Sequence, residues 1–314
     1  MIEKTNIVNI GDPFVLLDNG TYYLYATSAS DGFLVWKGTD LNKLEKVGYC
    51  LEAKNSFGDG RFWAPEVVKR KDGKFILHYT ANMPNSGLRC GVAIADSPLG
   101  PFADVFPGKP MFDLGGGTID ATCFVDDDGS AYLYYSRDCW DNVVDGVNTS
   151  QIFAVRLDET LTHVVSSPVL VATPQKRWET HKIPAPCIRD VDRYVQEEKH
   201  VAFLWNEAPY VVKRNGLYCL TYSANCFDSR YYGVGLAVSR SPLGNFVKAE
   251  EPLLQINDGQ TCGVGHSAFF TTPQNKTMMV FHCHTDYNNP SGNRRVCFCD
   301  GDKLLNDALQ KFVL

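Results

Sequence analysis

Residues 64–70 read APEVVKR and residues 208–214 read APYVVKR, two near-copies 144 residues apart. A second pair keeps the same spacing: Ser97-Pro98-Leu99-Gly100 with Phe102, and Ser241-Pro242-Leu243-Gly244 with Phe246. Two separate motifs that share one offset argue for a duplicated structural unit. Working outward, a looser form of the unit recurs, beginning at Asp12, Ala64, Asp120, Glu207 and His266. Each copy is a short strand-like run, a turn, and an aromatic-rich run ending in small polar residues, as in DPFVLLDNGTYYLYATS from Asp12. The turns Asn19-Gly20, Asp72-Gly73, Asp128-Gly129 and Asn215-Gly216 are hairpin turns by their chemistry, whereas the fifth copy has the degenerate Gln274-Asn275-Lys276. The rest of each interval holds two further short strands. Four strands per unit and five units predict an all-β, five-bladed β-propeller over residues 1–314. Two stacked β-sandwiches would also give many short strands, but not a constant offset. The polar stretch RDVDRYVQEEKH, residues 189–200, is expected as an insertion on the rim, and LLNDALQKFVL, residues 304–314, reads either as a helix or as a closing strand.

Composition sets the outer bounds. With 44% hydrophobic and 21% charged residues, the chain builds a sizeable core and is not disordered. A net charge of -6 gives no support to a nucleic-acid partner, which asks for a basic stripe. No run of about 20 apolar residues spans a bilayer. The N-terminal MIEKTNIVNIGDPF lacks the basic and apolar regions of an export signal, which points to the cytoplasm. The eleven cysteines lack regular spacing, so they read as reduced thiols acting as small hydrophobes. His282-Cys283-His284 and Cys297-x-Cys299 suggest metal ligands at first sight, but in a strand an i,i+2 pair only shares a face.

The chemistry comes from where the repeats begin. In a propeller the innermost strands run the same way along the axis, so the residues that start them converge on one mouth. Those positions hold Asp12, Trp63, Asp120, Glu207 and His266, with a slip of about one residue between copies that a bulge absorbs. Three carboxylates gathered in one place are costly unless they serve a purpose. Paired carboxylates of opposite protonation state are the machinery of glycoside hydrolysis, and inversion needs them about 6.5–9.5 Å apart to admit a water. Asp12 and Glu207, on the first and fourth blades, suit such a separation, while Asp120 would raise the pKa of Glu207 and hold its rotamer.

Asp12-Pro13, Trp63-Ala64-Pro65-Glu66, Ile119-Asp120, Glu207-Ala208-Pro209-Tyr210, Gly265-His266-Ser267 and Gly292-x-Arg294-Arg295 together resemble glycoside hydrolase family 43, in an order that spans residue 12 to about 300. The resemblance implies an inverting, five-bladed β-xylosidase, α-L-arabinofuranosidase or arabinanase. It implies Asp12 as base, Glu207 as acid and Asp120 as pKa modulator. His266 resembles the family's axial histidine, which stands beside a calcium ion or a water or simply plugs the axis; calcium would be structural, and no cofactor is required. One of Arg294 and Arg295 resembles a substrate-contacting arginine, and alternation admits only one, Arg294. Trp63, Phe62 and Trp205 are candidates to stack on a sugar, with wedge packing between blades as the alternative, and Trp140 is placed at the rim. The expected partner is a short oligosaccharide, attacked from its end. Glu-Ala-Pro stands where many relatives have Glu-Gly-Pro, a change that leaves the carboxylate in place.

Two other readings compete. A retaining fructan- or sucrose-cleaving propeller would carry Asn-Asp-Pro-Asn-Gly early and Arg-Asp-Pro mid-chain; here the residues are Gly11-Asp12-Pro13-Phe14 and Arg189-Asp190-Val191. A non-catalytic carbohydrate-binding propeller would not need an acid held protonated among other acids.

Overall fold

A computed structural model describes residues 2–181, 203–290 and 292–312; the expected rim insertion at 189–200, and Arg189-Asp190-Val191 with it, lies outside the described residues. Five four-stranded antiparallel sheets form the five blades of a β-propeller. The first strands of the blades are Gly11–Asp18, Trp63–Lys69, Thr118–Val125, Asn206–Arg214 and Gly265–Thr271. Each of them packs against the first strand of the next blade, and the last against the first, so they form the innermost ring.

The repeat has a physical reason. In the first strand of every blade the hairpin register slips near its start: between Gly11 and Phe14, Trp63 and Glu66, Ile119 and Thr122, Glu207 and Tyr210, and Gly265 and Ala268. At each slip one residue adopts a left-handed backbone: Asp12, Ala64, Asp120, Ala208 and His266, with φ of 53°, 47°, 57°, 51° and 50°. The bulge thus stands at the same place in all five blades and shifts no copy against another; the expected one-residue slip is instead a difference of position within it, Asp12, Asp120 and His266 taking the left-handed residue and Trp63 and Glu207 the one before. The SPLG motifs join blades in pairs. The buried Tyr25 hydroxyl of the first blade donates to Pro98 O at 2.5 Å, and that of Tyr134 in the third donates to Pro242 O at 2.7 Å. The 144-residue offset thus marks blades two and four, each accepting a tyrosine from the blade before it.

Apolar wedges between blades form the core, as where Phe33 meets the edges of Phe62 and Tyr79. The ring closes at its last blade, where the N-terminal strand Glu3–Val8 pairs with Arg294–Asp300. The closing strand therefore comes from the N-terminus, and the C-terminal segment is instead a helix, Gly301–Leu309, capped by Asp300 accepting from Lys303 N. Its Leu304, Leu305, Ala308 and Leu309 cover the last blade, a 3.6-residue spacing that a strand could not present to one face. The ten described cysteines are all free thiols and nine are buried. Cys283 and Cys297 lie with their sulfurs 3.3 Å apart, unbonded.

Candidate active site

The bulges hold the site together through one hydrogen bond per blade. The backbone N–H of the left-handed residue reaches back to the preceding blade. Ala64 N donates to Thr27 Oγ1 at 2.9 Å, Asp120 N to Thr80 Oγ1 at 2.9 Å, and His266 N to Ser223 Oγ at 2.7 Å. These hydroxyls are the small polar residues that end each aromatic strand, directly opposite the bulge. Two blades depart from the rule. At the seam the acceptor is an imidazole, with Asp12 N donating to His282 Nδ1 at 3.2 Å. Between the third and fourth blades the acceptor is a carboxylate, Ala208 N donating to Asp120 Oδ2 at 3.0 Å. Ser136, which holds the hydroxyl position there, is left buried without a partner.

That difference predicts an unequal pair of substitutions. Thr80→Val strands the Asp120 amide in a buried position and is expected to cost about 1–3 kcal/mol in denaturant unfolding. Ser136→Ala removes only an unpaired hydroxyl and is expected to be close to neutral, within about 0.5 kcal/mol.

Asp12, Asp120, Glu207, Trp63 and His266 all start inner strands and meet at one mouth, as read from the repeat. The bulge sorts them into two sets. Asp12, Asp120 and His266 are the left-handed residues, whereas Trp63 and Glu207 precede theirs and oppose Thr80 and Ser223.

Asp12 Oδ1 accepts from Arg294 Nη1 at 2.7 Å and lies 3.2 Å from His266 Nδ1, while Oδ2 accepts from Thr27 Oγ1 at 2.5 Å. Burial alone would raise its pKa, but Arg294 and then His266 outweigh that and hold it well below the carboxylate range. Burial would also strip His266 of its proton, yet Asp12, Asp120 and Glu207 push its pKa up to about 8. His282 is neutral, since burial and then Arg294 hold its pKa well down, and its Nδ1 accepts the Asp12 amide.

The other two carboxyls go the opposite way. Burial, with Glu207 and Asp12 as like charges, raises Asp120 to about 7 against the pull of His266. Burial likewise raises Glu207, although Tyr232 and Trp205 both donate to it: Tyr232 OH to Oε1 and Trp205 Nε1 to Oε2, each at 2.6 Å. The mouth therefore holds one carboxyl kept ionised and two kept protonated toward neutral pH.

Four aromatic and basic candidates find definite places. Trp63 is half-buried at the mouth. Phe62 is corrected: it is 1% exposed and packed against Phe33 and Tyr79, with no face for a sugar. Trp205 is corrected too. It is 6% exposed and spends its indole N–H on Glu207, while Trp140, 40% exposed, leans edge-on against it. Arg294 faces the site as alternation requires, but its guanidinium is bound to Asp12 and lies over the Phe227 ring.

Two glycines make room for these arms. A Cβ on Gly11 would stand 2.0 Å from Arg294 Cζ, and one on Gly265 2.0 Å from Tyr232 Cε1. These are the bulge positions that carry Trp63, Ile119 and Glu207 in the other blades.

Calcium prefers several oxygen ligands. His266 offers a nitrogen already engaged by Asp12, and among the described residues no group of three or more His, Cys, Asp or Glu side chains is arranged to hold a metal. Among the described residues, side chains of these types alone do not make a calcium site at His266, and no step below depends on one.

Sequence reasoning missed Tyr232, Thr27, Thr80, Ser223 and His282. The small polar endings of the aromatic strands were the signal for four of these positions. Tyr232 lies in the non-repeating segment DSRYYG, which carries no such signal.

The family model described as glycosyl hydrolases family 43 matches residues 7–299. The chain is 26% identical over 289 residues to the beta-D-galactofuranosidase xynD of Aspergillus niger, covering 86% of this chain and 73% of that one. It is 23% identical over 299 residues to an extracellular exo-alpha-(1->5)-L-arabinofuranosidase of Streptomyces avermitilis, covering 90% of this chain but only 56% of that longer protein. Among solved structures, a thermostable family-43 glycoside hydrolase superposes with a TM-score of 0.83 at 36% identity, covering 93% of this chain and 89% of the other.

Proposed function

The chain belongs to glycosyl hydrolases family 43, and from that premise we propose an inverting glycosidase that releases terminal pentose units, α-L-arabinofuranosyl or β-D-xylosyl, from short oligosaccharides. The observation that carries the mechanism is the divergence of the carboxyls: Asp12 is held ionised by Arg294 and His266 while Asp120 and Glu207 are held protonated by burial. Asp12, the ionised member, takes a proton from water. Glu207, the protonated member, gives one to the leaving oxygen. Asp120, raised in its turn by Glu207 and Asp12, accepts from the Ala208 amide and so fixes the peptide on which Glu207 stands. General acid–base catalysis of this kind is worth roughly 10²–10⁴-fold per group.

The sugar is less constrained than the mechanism. The name of the Streptomyces relative supports an arabinofuranoside, and that of the Aspergillus relative supports a galactofuranoside as second reading. Nitrophenyl α-L-arabinofuranoside, β-D-xyloside and β-D-galactofuranoside, assayed side by side, rank the three. Turnover of none of them would overturn the glycosidase proposal in this form. Proton NMR of the first product, before mutarotation, is expected to show the anomer opposite to the substrate; retention would exclude the mechanism.

The pH profile follows from the same charges. The base must be ionised, so activity persists on the acid side until pH falls through the lowered pKa of Asp12. The acid must be protonated, so activity is lost as pH rises through the pKa of Glu207, which burial raises above the carboxylate range. kcat/KM measured from pH 4 to 9 is expected to stay flat on the acid side and fall on the alkaline side. A profile rising steadily to pH 9 would contradict it.

A further inference from the structure

We propose that Trp205 and Tyr232 are positioning residues that assign the catalytic proton of Glu207 to one oxygen, Oε1. The assignment rests on the reading of Glu207 as the acid and goes beyond it. An indole N–H donates and never accepts. Trp205 Nε1 lies 2.6 Å from Oε2, so a proton on Oε2 would face another proton. Oε1 lies 2.6 Å from the Tyr232 hydroxyl, which both donates and accepts. When Glu207 is ionised, Tyr232 donates to Oε1; when Glu207 is protonated, Oε1–H is the donor and Tyr232 the acceptor. The proton therefore belongs on the tyrosine side.

Both partners are fixed in place. The Tyr232 ring is fully buried and stacks on His282 with centroids 5.7 Å apart and planes at 11°. It passes over the bare Cα of Gly265. Trp205 is wedged by Phe203 and Trp140, and its backbone N–H donates to Glu179 O at 3.3 Å. Glu179 is itself buried and bound by Lys248 Nζ at 2.7 Å and Tyr222 OH at 2.6 Å. In the reaction the Oε1–H turns from Tyr232 to the leaving oxygen and gives up its proton there. The glycosidic C–O bond breaks with its electron pair on that oxygen, water deprotonated by Asp12 forms the new bond, and Tyr232 turns to donate to the carboxylate left behind.

The titratable groups around Glu207 are Asp12, Asp120 and His266, with His282 behind Tyr232. The thiols of Cys139 and Cys226 also face it and stay neutral, since burial pushes both well up. None of these is altered by the substitutions that test the assignment.

Tyr232→Phe keeps the ring and removes a donor that favours the ionised acid. The alkaline limb of kcat/KM should move up by about one pH unit. Trp205→Phe lets the proton sit on either oxygen. kcat on an alkyl glycoside should fall roughly 10- to 100-fold, with a dinitrophenyl glycoside, whose leaving group needs no proton, much less affected. Glu207→Gln serves as reference. If it discriminates by leaving group while Tyr232→Phe keeps the parental limb, the assignment is wrong and the acid reading stands. If Glu207→Gln hits both substrates equally, the acid reading falls and the assignment with it. Should Trp205→Phe fail to fold, the limb of Tyr232→Phe decides alone.

Discussion

Asp12→Asn is expected to lower kcat/KM by about 10²–10⁴-fold and leave the propeller folded. Asparagine is the suitable replacement because position 12 has a φ of 53°, a region that Asn tolerates well. The amide still accepts from Thr27, so the contact to the first blade survives. What disappears is the negative charge beside Arg294 and His266, which together hold the carboxyl ionised. His266 loses the largest of the charges that raise it to about 8, so its pKa should fall, visible in histidine NMR as a titration midpoint at lower pH. Kinetics and unfolding measured on the same preparation separate the two effects. A variant within tenfold of the parent in kcat/KM would remove Asp12 from the role of base.

Glu207→Gln is expected to lower kcat on an alkyl glycoside or a disaccharide by about 10²–10⁴-fold, and on a dinitrophenyl glycoside by far less. A poor leaving group needs its proton; a dinitrophenolate does not. Glutamine can keep both contacts, its oxygen accepting from Trp205 and its N–H donating to the Tyr232 hydroxyl, so the loss reports chiefly the missing proton. The ratio between the two substrates isolates the proton, because a misplaced side chain harms both alike. The alkaline limb should also vanish from what activity remains, since the group that titrates there has gone. An alkaline limb unchanged in Glu207→Gln would assign that titration to another residue.

The architecture was legible in the sequence because each blade writes its hairpin locally, in alternation and turn residues, and because APxVVKR and SPLG recur at one spacing. Their convergence was legible too, since strand starts in a closed ring can only meet. Two features of the site were not. Phe62 and Trp63 are neighbours in sequence with similar chemistry, yet the bulge at Ala64 sends one ring into the wedge and leaves the other at the mouth. A bulge turns on backbone dihedrals, which alternation does not reveal. For Trp205, two residues before Glu207, the residue types leave a sugar platform and wedge packing equally open. Its hydrogen bond depends on the side chain folding back toward its own strand, and no pattern of residue types encodes that. Tyr232 arrives from a loop outside the repeat, and only Gly265, unremarkable as a residue, shows where it passes.

The seam of the ring has a consequence for how the enzyme comes into being. Asp12 follows the strand Glu3–Val8 by a few residues and is made before the rest of the site. Its companions Arg294, His266 and His282 come more than 250 residues later, and they share a blade that the strand Glu3–Val8 must complete. A ribosome that stops early, or a protease that removes the final blade, leaves Asp12 without the arginine and histidines that position it. Turnover therefore reports on molecules synthesised to their last blade and sealed, and a partly made chain cannot cleave sugars while it is still emerging.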